Sequence, residues 1–126
     1  MNPNPNPNRV LVVDDDPDMR ESVALVLAAA GYVVEVAEDG QQAIEVQRAR
    51  PAQILITDVF MPARDGLETI QFFRQQWPSM PIIAMTGGSP TGEVDDYLKV
   101  AEVAGANVTL RKPFPARELL ESISTL

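Results

Sequence analysis

Five short aliphatic runs recur along the chain, each followed by a stretch of helical periodicity, and this alternation constrains the fold more than any other feature. Residues 10–13 read VLVV, 33–37 VVEVA, 53–57 QILIT, 81–85 PIIAM and 107–110 NVTL. The first and third contain consecutive aliphatic side chains rather than alternating ones, the pattern of strands buried on both faces of a parallel sheet. Between the first two runs, residues 17–30 set Met19, Val23, Val26, Leu27 and Ala30 at helical spacing, with Asp16 as N-cap, Pro17 at the first helical position and Gly31 as the stop. Further helices are expected over about 40–49, 66–76, 93–104 and 115–125, with Pro51 and Pro78 marking the returns. The expected class is therefore α/β: a doubly wound, five-stranded parallel sheet in the order 2-1-3-4-5, a common order among those that right-handed crossovers allow.

A chain of 126 residues has room for one such domain. The expected division is a disordered tail over 1–8 and a single domain over 9–126. The tail reads MNPNPNPN, whose prolines lack amide donors and whose asparagines offer no apolar surface, so it cannot join a packed sheet. Eighteen acidic residues against ten basic ones give a net charge of -8, a field that repels polyanions, so nucleic acid is not an expected partner. The longest nearly apolar run, residues 23–34, is shorter than the ~20 residues that span a bilayer. No membrane association is expected, and the location is read as cytoplasmic. The sequence has neither cysteine nor histidine, which excludes thiol nucleophiles, thiolate metal sites, imidazole bases and Ser-His-Asp triads.

Open α/β sheets bind ligands beyond the carboxyl ends of their strands, so the residues that follow each aliphatic run matter most. Asp14, Asp15 and Asp16 follow the first, Asp58 the third, Thr86 and Gly87 the fourth, and Lys112 the fifth. Singly, each has an ordinary explanation as a cap, a turn residue or a surface charge. Jointly they do not, because the order 2-1-3-4-5 sets strand 1 beside strand 3 and brings Asp14 and Asp15 next to Asp58. Unit charges ~4 Å apart interact by roughly 4 kcal/mol near a protein surface. Such a cluster must protonate, spread apart or hold a cation. All-oxygen ligation with few protein ligands suits Mg²⁺, which commonly pairs one or two carboxylates with a phosphate. A carboxylate nucleophile, a metal, a lysine and a hydroxyl make up the parts that phosphoryl transfer needs, with Asp58 the candidate nucleophile. Gly87 would let a backbone amide approach an anion closely.

Four separated motifs, LVVDDDPDMR (11–20), LITDVFMPARDG (55–66), MTG (85–87) and RKPF (111–114), occur in order and at suitable spacing. On these the chain resembles the response-regulator receiver domain of two-component signalling over residues 9–126, a flavodoxin-like fold. The resemblance implies that Asp58 is the phosphoacceptor, taking a phosphoryl group from a sensor histidine kinase, a histidine phosphotransfer protein or a small phosphodonor. It implies Mg²⁺ bound by Asp15, Asp58 and the Phe60 backbone carbonyl, with Asp14 acting through water. Lys112 and Thr86 would bind the phosphoryl group, and the Lys112-Pro113 bond would be cis. Phosphorylation would then alter the surface of helix 4, strand 5 and helix 5, which regulates a protein target in trans. The implied role is regulatory rather than enzymatic.

Several positions depart from the family pattern. Phe60 and Gly88 replace polar residues that could orient an attacking water, which predicts slow autodephosphorylation. Thr109 stands where relatives commonly carry an aromatic switch residue. The segment between Thr86 and Lys112 is a few residues longer than in compact relatives, with GGSPTGEV (87–94) expected to move. On helix 4, Val94, Tyr97, Leu98 and Ala101 form a stripe at helical spacing of which Tyr97 is the candidate exposed member. Two rival readings remain at this point: a receiver fold that binds partners without phosphorylation, and a haloacid-dehalogenase-like phosphatase, which would leave Asp58 without a role. A flavin-binding relative fits poorly, since carboxylates after strand 1 would repel a phosphate.

Overall fold

The computed structural model describes residues 9–59, 66–87 and 94–126, with the side chains of 94–98 left aside. Elements alternate strictly: β1 (Arg9–Val13), α1 (Pro17–Ala29), β2 (Val33–Ala37), α2 (Gly40–Ala49), β3 (Ile54–Asp58), α3 (Gly66–Gln76), β4 (Ile82–Thr86), α4 (Val94–Ala104), β5 (Val108–Arg111) and α5 (Ala116–Ser124). The strands form one parallel sheet in the order β2-β1-β3-β4-β5, as the aliphatic runs imply.

Because side chains alternate along a strand, each aliphatic run feeds two cores. Leu11, Val13, Leu55, Ile82 and Ala84 pack on one face with Ala43 and Ile44 of α2, Ile70 and Phe73 of α3, and Ala101 of α4. On the other face Val10, Val12, Ile54, Ile56, Ile83, Met85 and Leu110 pack with Val23 and Leu27 of α1 and with Leu119 and Ile123 of α5. This division explains why, after Arg9 at the start of β1, the strands β1, β3 and β4 have no polar side until their carboxyl ends. Of the helix 4 stripe, Ala101 is fully buried, while the side chains of Val94, Tyr97 and Leu98 lie outside the described residues.

The helix limits follow local chemistry. Asp16 caps α1 by accepting from the Asp18 amide at 3.0 Å, with Pro17 at the first helical position. At the other end Gly31 takes φ +99°, its amide reaching Ala28 and that of Tyr32 reaching Leu27, both at 3.0 Å. This is a Schellman stop. Asp39 caps α2, accepting from the Gln42 amide at 2.8 Å.

At the amino ends of the strands, Arg74 of α3 acts as a staple. Its guanidinium donates to the carbonyls of Pro78 and Met80 ahead of β4, to the Gly105 carbonyl just past α4, and to Asn107 Oδ1, which also accepts from the Ile82 amide. One planar group with five donors thus ties α3, β4 and the turn between α4 and β5 together.

The tail over 1–8 and most of the GGSPTGEV segment lie outside the described residues. Replacing Gly31 by Ala forces a Cβ into left-handed backbone although no atom lies within 4 Å of it. We expect a loss of about 1 kcal/mol in urea unfolding, arising from backbone strain alone.

Candidate functional site

The five strand ends converge as the topology requires, and β3, β4 and β5 each end one residue further along than the aliphatic pattern indicates. β3 includes Asp58, paired with Met85, and β4 includes Thr86, paired with Arg111. The backbone ladder continues through a residue whose side chain no longer matches the apolar run. Asp58 and Thr86 are therefore gripped by the sheet rather than set in loops, and both are buried.

Asp14 follows β1 and is fully buried, its amide still in the ladder through the Ala37 carbonyl at 3.2 Å. Both of its carboxylate oxygens have partners: Oδ1 accepts from the Asp16 amide at 3.0 Å and Oδ2 from Lys112 Nζ at 2.8 Å. Its carbonyl accepts from Arg20 Nη1 at 2.8 Å, which folds the first turns of α1 back over the end of β1. Lys112 Nζ also reaches Asp58 Oδ2 at 3.3 Å. Asp15 is exposed, and one oxygen from each of Asp14, Asp15 and Asp58 lies within 4.8 Å of the others. Asp16, the fourth acid of the sequence reading, belongs to the α1 cap instead.

The repulsion expected among these carboxylates is relieved first by an internal cation. Burial alone disfavours the Lys112 ammonium, but its hydrogen bond to Asp14 and the charges of Asp58 and Asp14 outweigh that effect, so its pKa stands above the ordinary lysine value. Three carboxylates still face one ammonium, and their spacing suits a second cation. Oxygens ~2.1 Å from an octahedral Mg²⁺ sit about 3 to 4 Å apart, close to the separations of up to 4.8 Å found here. The donor set, all oxygen and partly open at Asp15, fits Mg²⁺ and an aspartyl phosphate.

Thr86 ends β4 with its carbonyl accepting from the Lys112 amide at 2.8 Å, so hydroxyl and ammonium come from adjacent strand ends. Gly87 lies against the Lys112 stem, where an added Cβ would stand 3.6 Å from two of its carbons, an ordinary contact. The Lys112-Pro113 bond is cis. Thr109 is half-buried and pairs with Ala84 across the sheet. Phe60 and Gly88 lie outside the described residues.

Two residues gain roles that sequence reasoning did not give them. Arg20 sits within a quoted motif, but nothing in the spacing shows its bond to Asp14. Gly66 reads as a turn residue, yet a Cβ there would lie 2.1 Å from the Asp58 carbonyl oxygen and 2.6 Å from that of Val59. The start of α3 is thus pressed onto the backbone of Asp58, and only glycine fits.

A doubly wound sheet with acids, a threonine and a lysine meeting at one end describes a class of signalling domain, and comparison with known proteins agrees. The sequence profile of the response regulator receiver domain matches residues 10–124, and the chain belongs to that family, the receivers of two-component systems. Among particular relatives, response regulator MprA of Mycobacterium leprae is 42% identical over 120 residues, covering 94% of this chain and 50% of that protein. MprA of Mycobacterium ulcerans is 40% identical over 119 residues, covering 94% and 49% respectively. The chain spans about half the length of these relatives. Among solved structures, the chemotaxis protein CheY4 of Vibrio cholerae has a TM-score of 0.82 at 32% identity, covering 94% of this chain and 97% of that one. The receiver domain of NtrX from Brucella abortus has a TM-score of 0.85 at 27% identity, covering 92% and 95%.

Gly66→Ala should lower stability by roughly 2–4 kcal/mol in urea unfolding, because backbone has to move, whereas Gly87→Ala stays within about 0.5 kcal/mol. The raised Lys112 pKa has its own signature. Its ion pairs contribute fully below the unfolded-state value of about 10.4 and are lost as pH rises through the folded value. The stability difference between the parent and Lys112→Met should therefore be flat through neutral pH and shrink in the alkaline range. A difference that stays constant across that range contradicts the assignment.

Proposed function

We propose that the domain is a phosphorylation-dependent switch of the cytoplasm in which Asp58 accepts a phosphoryl group from the phosphohistidine of a sensor histidine kinase or histidine phosphotransfer protein. The observation that carries this reading is the single ammonium of Lys112 bridging Asp14 and Asp58 beside the exposed Asp15. In the transfer, an Asp58 carboxylate oxygen forms a bond to phosphorus while the nitrogen–phosphorus bond of the donor breaks and the imidazole leaves with the electron pair. Asp15 and Asp58, with the Phe60 carbonyl, would hold Mg²⁺, and Asp14 would act through water, in keeping with the two hydrogen bonds its oxygens already accept. When bound, the ion supplies neutralisation of charge on the transferred phosphoryl oxygens.

Lys112 is suited to follow the phosphoryl group without leaving its anchor. Its bond to Asp14 is the shorter, 2.8 Å against 3.3 Å to Asp58, and an ammonium has three donors. It keeps Asp14 and turns another hydrogen from the Asp58 oxygen to the new phosphoryl oxygens. Thr86, at the adjacent strand end, hydrogen-bonds the same group, and Gly87 offers its amide beside it. The shift is passed to the surface of α4, β5 and α5, which binds a protein target in trans. Thr109, lacking an aromatic ring, makes that coupling depend on Thr86 and Lys112 more than on a side chain of β5.

Incubation with Mg²⁺ and a small acyl phosphate should add one phosphoryl group by intact mass. The adduct should be absent with Asp58→Asn and with chelator, and should form at least tenfold more slowly with Asp15→Asn, equivalent to about 1.4 kcal/mol. The adduct should outlast seconds, since neither Phe60 nor Gly88 has a polar side chain to orient water. Absence of any adduct on the parent would favour a receiver fold that binds its partner constitutively.

A further inference from the structure

A groove of about 790 Å³ crosses the end of the sheet opposite the acidic rim. Tyr32, Gln53, Ile54, Trp77, Pro78 and Pro81 are among its walls, and among the described residues no charged side chain lines it, although charged residues make up 22% of the chain. Trp77 is half-buried, with its ring packed on Phe73 at a centroid distance of 4.9 Å. Tyr32 and Trp77 each combine a flat apolar ring with a hydrogen-bond donor.

This chemistry matches one segment of the same chain. Arg9, the first described residue, exchanges hydrogen bonds with Gln53: its amide donates to Gln53 Oε1 at 2.7 Å, and its carbonyl accepts from the Gln53 amide at 2.9 Å. Arg9 also pairs in register with Val33, the neighbour of Tyr32. Arg9 thus stands between two strands whose first residues adjoin walls of the groove, and residues 1–8 precede it. These include Pro3, Pro5 and Pro7, and proline-rich sequence favours polyproline II and lacks amide donors while leaving every carbonyl as an acceptor. Aromatic grooves with spare donors recognise such segments. Seven residues at ~3.1 Å each reach about 22 Å, enough to cross the end of a five-stranded sheet of ~4.8 Å spacing.

We propose that the groove is the docking site of the chain's own Asn-Pro segment, residues 2–8, seated in polyproline II conformation against Trp77 and Tyr32. A sheet-incompatible tail needs no strand partner to dock this way. The proposal is independent of phosphoryl transfer, because the groove and Asp58 are at opposite ends of the strands.

Trp77 is the single tryptophan and reports directly. In the chain lacking residues 2–8, its emission should shift to the red and its quenching by acrylamide rise roughly twofold as ring area opens to water. Amide resonances of Tyr32, Gln53 and Trp77 should move while those of Asp58 and Lys112 stay. The full chain with Pro3, Pro5 and Pro7 changed to Gly should behave like the truncated one. The peptide MNPNPNPN should reverse the truncation only at about millimolar concentration, as expected for a contact that depends on tethering. Spectra of full and truncated chains that superimpose beyond Val10 overturn the proposal. A glycine variant indistinguishable from the parent overturns the polyproline basis. Changes that grow with protein concentration alongside a doubled mass would assign the groove to a second copy instead.

Discussion

One ammonium group between two carboxylates holds together strand ends that are 54 and 98 residues from it along the chain. Asp14 has no exposure to water, and an ionised carboxylate in that position is tolerable only with full hydrogen bonding and a countercharge. The Asp16 amide and Lys112 meet those needs, so the carboxyl edge of the sheet closes around a polar knot instead of excluding it. The same charge balance suits the proposed phosphoryl transfer. Lys112 offsets only part of the acidic charge, and the exposed Asp15 leaves a side from which a metal and a phosphoryl donor could enter.

The sheet separates two kinds of work along its length. Over the middle of β1, β3 and β4, side chains of both parities are apolar and serve the two cores. At the carboxyl ends the side chains change to Asp, Thr and Lys without the backbone losing its register, which positions functional groups with strand precision. The Gly66 contact completes that framework from below. By bringing the first residue of α3 against the Asp58 carbonyl, it fixes the backbone of the candidate phosphoacceptor from the side that the ladder does not reach.

Much of this was legible in the sequence because periodicity encodes burial directly. Consecutive aliphatic residues at 10–13 and 54–56 mark strands covered on both faces, handedness leaves only a few strand orders, and in the order 2-1-3-4-5 that the structure shows Asp14, Asp15 and Asp58 are neighbours. Boundaries are less legible: Asp58 and Thr86 read as the residues that follow an apolar run, since a polar side chain ends it, while the ladder follows backbone hydrogen bonds and includes both. Contacts between distant residues were not legible at all. The Arg20 bond to Asp14 and the contact of Gly66 with Asp58 depend on the angles at which α1 and α3 leave the sheet, which no local pattern specifies. The acidic cluster reads as one that must protonate, spread apart or hold a cation, with Mg²⁺ the suited ion, and the structure shows that a lysine just past the last strand is the first answer to that repulsion.

The Arg74 staple constrains how the domain can deform. Its guanidinium fastens the carbonyl just beyond the last turn of α4 to the approaches of β4 and β5. A rod pinned at one tip cannot slide; it pivots. In the proposed switch, strain delivered from the acidic rim would therefore leave α4 as an angular swing whose amplitude grows toward the start of the helix, and a partner reading that helix would sense orientation rather than translation.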